Sequence, residues 1–372
     1  MKKKILFLVA AFIAVFSGCH TEQNELPRFG AILSLTGAAA PYGQDNLKGL
    51  QLAQENLRTE GYAVDLRIQD SAGDPAQAVS LARHFAGDTS ILAILGPTRT
   101  GEAVAVAKLL PELNIASMSV GSTGDWKNAA GEDFNKWMFR STRVDTYLVR
   151  PLLTMARDRF GVKRVAAIYT ANDDWAVSVM RLYETVLTQL GIQLVAKESQ
   201  MSGDTDRSPQ LIKIKAANPD AFIVNTLSSD APTIADQARR LGIRARFLGT
   251  AGFSSPNTWS LAKPGTLDGT LVAENYYSTS PRPIVKAFTE QYKAKFGAEA
   301  PPYAAYAYDG LRILARAVRN AGSRDRGAIR DAIGSLTHFD GVLGDLTYHY
   351  KGDAEKLPVI LEIHGGKYAL VQ

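Results

Sequence analysis

The sequence predicts an α/β protein with parallel sheets, divided into two parts, and three observations carry that prediction. From Arg28 onward, short apolar runs rich in β-branched residues alternate with amphipathic stretches, the pattern of strand–helix–strand units. The alternation starts afresh after Asp145. The chain has 372 residues. A single core stops growing at about 250 to 300 residues, so two parts are expected.

The first part opens with Phe29–Leu33, an apolar run that predicts a buried strand. Gln44–Leu57 is expected to be a helix, with Leu47, Leu50 and Leu57 on one stripe and Gln51 and Glu55 off it. Val64, Leu66 and Ile68 alternate with polar residues and predict a second strand. Asp74-Pro75 supplies a cap and a first-turn proline for a helix to about Phe85. Ile91–Leu95 predicts a third strand, ended by Gly96-Pro97, and a helix is expected over Gly101–Leu110. Strands at Ala116–Ser119 and Trp137–Ser141 complete this run.

After Asp145 a helix to about Phe160 leads into the strand Arg164–Tyr169, and a helix over Asp174–Leu190 leads into the strand Gln193–Ser199. Ser208-Pro209 opens a further helix, Ala221–Asn225 is an apolar strand, Ala231–Leu241 is helical, and Arg246–Gly249 is a strand. Pro281 and Pro283 introduce a helix over Ile284–Phe296, Pro301-Pro302 precede one over Ala304–Ala321, and Arg324–Ser335 forms the last. Gly341, Gly344, Gly352 and Gly365-Gly366 mark a hairpin-like finish.

With 46% hydrophobic and 21% charged residues, the composition excludes a disordered or fibrous chain. The formal charge is +5, but Lys2, Lys3 and Lys4 head a leader-like segment. Without them 39 basic residues face 37 acidic ones, a net of +2, which removes the case for nucleic acid. Ile5–Phe16 carries no polar side chain and is followed by Ser17-Gly18-Cys19, the three-part layout of a secretory signal. A spanning helix needs about 20 apolar residues, so this run is too short for a stable span. Phe16-Ser17-Gly18-Cys19 resembles a bacterial lipobox, although leucine is usual where Phe16 stands. The expectation is lipidation at Cys19, the sole cysteine, with residues 20–27 as a tether to a membrane surface. A plain secretory leader that discards Cys19 is the alternative.

Catalysis and cofactor binding find little support. There is no Gly-x-x-x-x-Gly-Lys cradle, no Gly-x-Gly-x-x-Gly turn and no Gly-x-Ser-x-Gly elbow. Ser260-x-x-Lys263 has the spacing of a serine–lysine pair, but four-residue matches arise by chance at this length. The histidines, at positions 20, 84, 338, 349 and 364, are never spaced as a helical metal pair. The expectation is a protein that is not an enzyme and needs neither cofactor nor metal.

Open α/β sheets bind ligands beyond the carboxyl ends of their strands. Gly96-Pro97-Thr98-Arg99-Thr100-Gly101 joins a strand to a helix, so free N–H groups and the Thr100 hydroxyl can meet at one point suited to an anion. Gly121, Ser122 and Thr123 offer similar donors after the next strand. The bland alternative is that these Ser and Thr residues only cap helices, worth about 1 kcal/mol each. Asp145 can accept from an ammonium or simply open the next helix, and Trp175 can close an apolar pocket or join the core. Tyr42, before Gly43, is expected in the loop after the first strand.

These residues resemble the leucine/isoleucine/valine-binding protein family, type I periplasmic solute-binding proteins of branched-chain amino acid ABC transporters. The carriers are Ser34-Leu35-Thr36-Gly37 with Tyr42-Gly43, Gln69-Asp70-Ser71-Ala72-Gly73-Asp74-Pro75, Leu95-Gly96-Pro97-Thr98, Phe139-Arg140-Ser141, Asn218-Pro219-Asp220-Ala221 and Tyr306-Ala307-Tyr308-Asp309. The resemblance implies two Rossmann-like lobes joined by a three-segment hinge, residues 28–144 with 276–348 and residues 145–275 with 349–372, behind a signal peptide of residues 1–19. It also implies that Thr100, Gly121 and Thr123 hold a ligand carboxylate, that Asp145 holds its amino group, and that Trp175 covers it. The covering position is usually Tyr followed by Gly, and here Ala176 follows Trp175. Where amino-acid binders often carry an acidic residue, in the loop Gly249-Thr250-Ala251-Gly252, this chain has Ala251. An aliphatic amino acid is the first expectation, with an amide, a keto acid or an aromatic acid beside it, and residues 225–229 are expected to face the cleft. The implied partner is an ABC transporter permease, served by a monomer. A sensor that reports to a receptor or regulator is the competing reading.

Overall fold

The computed structural model describes residues 25–124, 136–348 and 358–371. The expected leader with Cys19, most of the tether, Gly352 and His349 lie outside them.

The first sheet draws on β1 (Arg28–Leu33), β2 (Asp65–Asp70), β3 (Ile91–Leu95), β4 (Ala116–Ser119) and β5 (Met138–Arg140). Among the described residues its order is β2-β1-β3-β4-β5, and every pairing is parallel. Its helices are α1 (Ala40–Thr59), α2 (Pro75–Gly87), α3 (Thr100–Ala107) and α4 (Leu110–Leu113). Helix α2 starts as the sequence predicts, with Asp74 accepting from the Ala76 and Gln77 N–H groups and Pro75 in the first turn.

Two boundaries differ from the prediction. Helix α1 begins at Ala40 with Pro41 in its first turn, ahead of the expected Gln44. Tyr42, expected in the preceding loop, therefore stands on the helix. The helix expected over Gly101–Leu110 breaks into α3 and α4, because Pro111 has no N–H to continue the ladder.

The second sheet follows α5 (Asp145–Phe160) and comprises β6 (Arg164–Thr170), β7 (Gln193–Gln200), β8 (Ala221–Asn225), β9 (Arg246–Gly249) and β10 (Leu271–Glu274), with α6 (Asp174–Leu190), α7 (Ser208–Ala216) and α8 (Ala231–Arg240) between them. Strand β10 was not predicted. The chain then returns to the first sheet through α9 (Pro283–Phe296), α10 (Pro302–Ala321), α11 (Arg326–Gly334) and a hairpin of β11 (Phe339–Gly341) and β12 (Gly344–Leu346). It ends on the second sheet with β13 (Val359–His364) and β14 (Lys367–Leu370). That sheet has the order β14-β13-β10-β9-β8-β6-β7, parallel except for β13 and β14.

The chain thus passes between the sheets three times, and each sheet has its own core. One cluster gathers β1, β3 and β4 with α1 and α10, including Phe29, Leu50, Ile94 and Leu311. Two others cover the faces of the second sheet, one around Leu152, Val179 and Tyr183 and one around Phe222, Ile234 and Phe247. The α/β class with two parallel-sheet lobes is as the sequence predicts. No helix among the described residues is long and apolar enough to cross a membrane.

Candidate functional site

The carboxyl ends of both sheets converge on one small cavity, lined from the first sheet's side by Tyr42, Thr98, Arg99, Thr100, Gly101 and, in the loop after β4, Gly121 and Thr123. Asp173, Trp175, Leu227 and Ala251 line it from the second, and Tyr303 lines it from α10. Every one but Tyr303 follows the end of a parallel strand, where helix starts leave N–H groups unpaired.

The loops on the first side are tied together by buried polar groups. Thr98 Oγ1 donates to Asn46 Oδ1 at 3.0 Å, and Asn46 Nδ2 donates to the carbonyls of Val120 at 2.9 Å and Tyr303 at 2.8 Å. Thr100 Oγ1 accepts from Ser122 Oγ and from the Gly124 N–H, both at 3.2 Å. The Tyr42 and Tyr303 rings stack with centroids 4.4 Å apart.

Several contacts bridge the two sides. Tyr42 Oη accepts from the Ser228 N–H at 2.6 Å and donates to the Ala251 carbonyl at 2.9 Å. Arg99 pairs with Asp173, whose other oxygen accepts from the Ala176 N–H at 2.9 Å and caps α6. Trp175 Nε1 donates to Thr123 Oγ1 at 3.0 Å and to Asp145 Oδ2 at 2.8 Å. Asp45, on α1, accepts from Ser255 Oγ and Asn257 Nδ2, each at 3.2 Å.

These bridges leave a cavity of about 30 Å³. Since about 10 to 15 Å³ of such space admits one water, a solute of amino-acid size enters only with the two sides apart.

Of the residues singled out in the sequence, Tyr42, Thr100, Gly121, Thr123, Trp175 and Ala251 come together on this cavity, and Leu227 comes from the segment expected to face it. Two stand behind the lining. Ser122 is buried against Thr100, and Asp145 is buried behind the Trp175 indole. Asp145 Oδ1 makes no hydrogen bond to any described residue. Burial pushes the Asp145 carboxyl up to about 6, against the pull of Thr123 and Trp175. Glu274, deeper in, is pushed up to about 7 by burial although Ser254 and Tyr306 donate to it.

Sequence reasoning did not single out Arg99, Asp173 or Tyr303. The first two carry a signal after the fact, since Arg99 lies in the quoted Thr98–Gly101 loop and Asp173 is an acid two residues before Trp175. Tyr303 reaches the cavity from a distant helix and has no local signal. Ser260 lies elsewhere, exposed on the surface, with its hydroxyl on the Asn257 carbonyl at 3.4 Å. No cluster of metal-ligating side chains occurs among the described residues.

Two parallel-sheet lobes with their loops converging on one cleft define the class of two-lobed solute-binding proteins. This chain belongs to the periplasmic binding protein family, whose model matches residues 27–356. Its relatives include the Leu/Ile/Val-binding protein homolog 3 of Brucella melitensis biotype 1, 26% identical over 95% of each chain. The Leu/Ile/Val-binding protein BraC3 of Rhizobium johnstonii is 26% identical over 87% of this chain and 88% of its own. Among solved structures, the leucine binding protein LivK of Thermotoga maritima superposes with a TM-score of 0.86 at 26% identity, covering 93% of this chain and 98% of that one. The substrate binding protein LivJ of Streptococcus pneumoniae, solved with isoleucine, has the same fold with a TM-score of 0.86 at 23% identity, covering 93% and 99%. The resemblance drawn from the motifs is borne out. The family consists of solute-binding proteins, not enzymes, and is extracytoplasmic.

Proposed function

We propose that this chain captures a small amino acid or a related acid or amide between its lobes and delivers it to the permease of an ABC transporter. The lobes are residues 28–144 with 276–348 and residues 145–275 with 349–372. A signal peptide precedes Cys19, whose lipid holds a monomer at the envelope membrane, with residues 20–27 as the tether.

The observation that carries this reading is the convergence on one cavity of donors from the first side, at Thr100, Gly121 and Thr123, with a ring and apolar groups from the second, at Trp175, Leu227 and Ala251. A solute that touches both sides stabilises the closed form by its differential affinity, and the closed outline is what a permease can read. Leu/Ile/Val-binding relatives and structures that cover nearly the whole chain support the solute class.

A thermal-shift screen of amino acids, keto acids, aromatic acids and amides on the purified chain tests it. A true solute at 100 times its Kd raises stability by about 2.7 kcal/mol. A screen in which no member of any class shifts the melting temperature overturns the proposal.

A further inference from the structure

The charge inventory of the cleft narrows the solute, provided that the solute-binding reading above holds. Among the described residues, no carboxylate that lines the cavity has a free oxygen. Asp173 lines it, with Oδ1 held by the start of α6 and Oδ2 paired with Arg99, so the two side chains together bring the wall no net charge. Asp145 is capped on Oδ2 by the Trp175 indole and does not line the cavity, and the Arg140 guanidinium, Thr250 and Tyr183 also act on it. Glu274 is held by Ser254 and Tyr306. Position 251 is an alanine whose carbonyl already accepts from Tyr42.

An ammonium group entering this space meets no carboxylate except the one already balanced by Arg99, and an unpaired buried ammonium is heavily penalised. Donors are plentiful by contrast. Thr100 Oγ1 accepts twice, from Ser122 and Gly124, which leaves its own hydrogen to give. The opening N–H groups of α3 have no partner within the helix. The remaining surface is the stacked Tyr42 and Tyr303 rings, the Trp175 ring, Leu227 and Ala251. That is a lining for an anionic head on an apolar or flat body.

Opening the cleft does not remove the cap. Asp145 begins α5 and Trp175 lies in the first turn of α6, and these helices pack on each other within one core of the second sheet. The Trp175–Asp145 bond therefore travels with that side. Separation breaks instead the contacts of Trp175 with Thr123, of Tyr42 with Ser228 and Ala251, and of Arg99 with Asp173, the last releasing one charge of each sign and so no net charge. Room for a solute appears while Asp145 stays covered.

We infer that the solute is a small carboxylate without a free ammonium group, a keto acid or an alkyl or aryl acid, and that Trp175 sets this preference by capping Asp145.

Calorimetric titration of the full chain with matched pairs tests this, using leucine against its keto acid and phenylalanine against phenylpyruvate and phenylpropanoate. The expected result is that an acid binds at least about tenfold more tightly than its amino partner. Trp175→Phe keeps a ring and deletes the N–H, and should narrow that preference about tenfold. Ala251→Glu, which places a carboxylate on the lining without touching Trp175, should narrow it too and serves if Trp175→Phe does not fold. Amino acids that bind the native chain as tightly as the acids overturn the inference and leave the solute-binding reading standing, as does binding confined to amides. An acid preference unchanged in a folded Trp175→Phe overturns the role of Trp175. Failure of every compound sinks the inference and the reading together.

Discussion

At the scale of single residues, Tyr42 shows how one side chain can serve both halves of a cleft. Its ring stacks on Tyr303 within the first side, and its hydroxyl bonds two main-chain groups of the second, Ser228 N–H and Ala251 C=O. Tyr42→Phe keeps the stack and deletes both bridging bonds, leaving a buried N–H without its acceptor. Each such bond is worth about 0.5 to 1.5 kcal/mol. The variant should bind solute at least about tenfold more weakly by calorimetric titration, with little change in the melting temperature of the solute-free protein. An affinity equal to that of the native chain would place the closing force elsewhere. Residues of this kind were partly legible in the sequence. Thr100, Gly121 and Thr123 were readable because strand-to-helix loops with hydroxyls and glycine have a physical reason to bind anions. That the Asp145 carboxylate is covered by Trp175 was not readable, since both lie at helix starts and only the packing of α5 on α6 brings them within 2.8 Å.

At the scale of elements, what the sequence displayed was local chemistry and what it hid was tertiary pairing. Capping residues and first-turn prolines gave α2 and α9 nearly to the residue. The same signal, Pro41, stands at the true start of α1, and Pro111 marks the break between α3 and α4. Strand β10 is different in kind. Leu271-Val272-Ala273-Glu274 has neither length nor alternation, and it is a strand because β9 and β13 flank it. Close helix packing is likewise invisible until the partner is known. Helix α1 crosses α10 so closely that a Cβ on Gly49 would lie 2.1 Å from the Ala304 carbonyl oxygen. Backbone cannot yield as a flexible side chain can, so Gly49→Ala should cost about 3 kcal/mol or more. Urea unfolding reads this as a lowered midpoint, and a midpoint within error of the native one would mean that the helices slide apart freely.

At the scale of the whole molecule, packing within and between the two sides buries acids that an open surface would leave solvated. Burial pushes Asp45, Glu274 and Asp309 up to about 7 and Asp145 to about 6. In the unfolded chain such groups titrate near 4. Their folded pKa is the higher one, so the native state holds their protons more tightly. The stability they contribute is complete below about pH 4 and is lost as pH rises through 6 to 7, on the order of 1 to 3 kcal/mol for each group. The groups whose pKa is lowered, among them Asp70 held by Thr36 and main-chain donors against a burial that opposes it, act in the opposite direction and only below about pH 4. Stability should therefore rise from pH 8 to about pH 5 and fall again in stronger acid. Glu274 gives the sharpest test, because Ser254 and Tyr306 donate to it through hydroxyls that can rotate so that an oxygen accepts from an amide. Glu274→Gln should melt higher than the native chain at pH 8, and its gain in melting temperature between pH 8 and pH 5 should be the smaller. A variant with the native pH profile would mean that Glu274 is already neutral, or already solvated, throughout that range, and the burial of acids would no longer explain the profile.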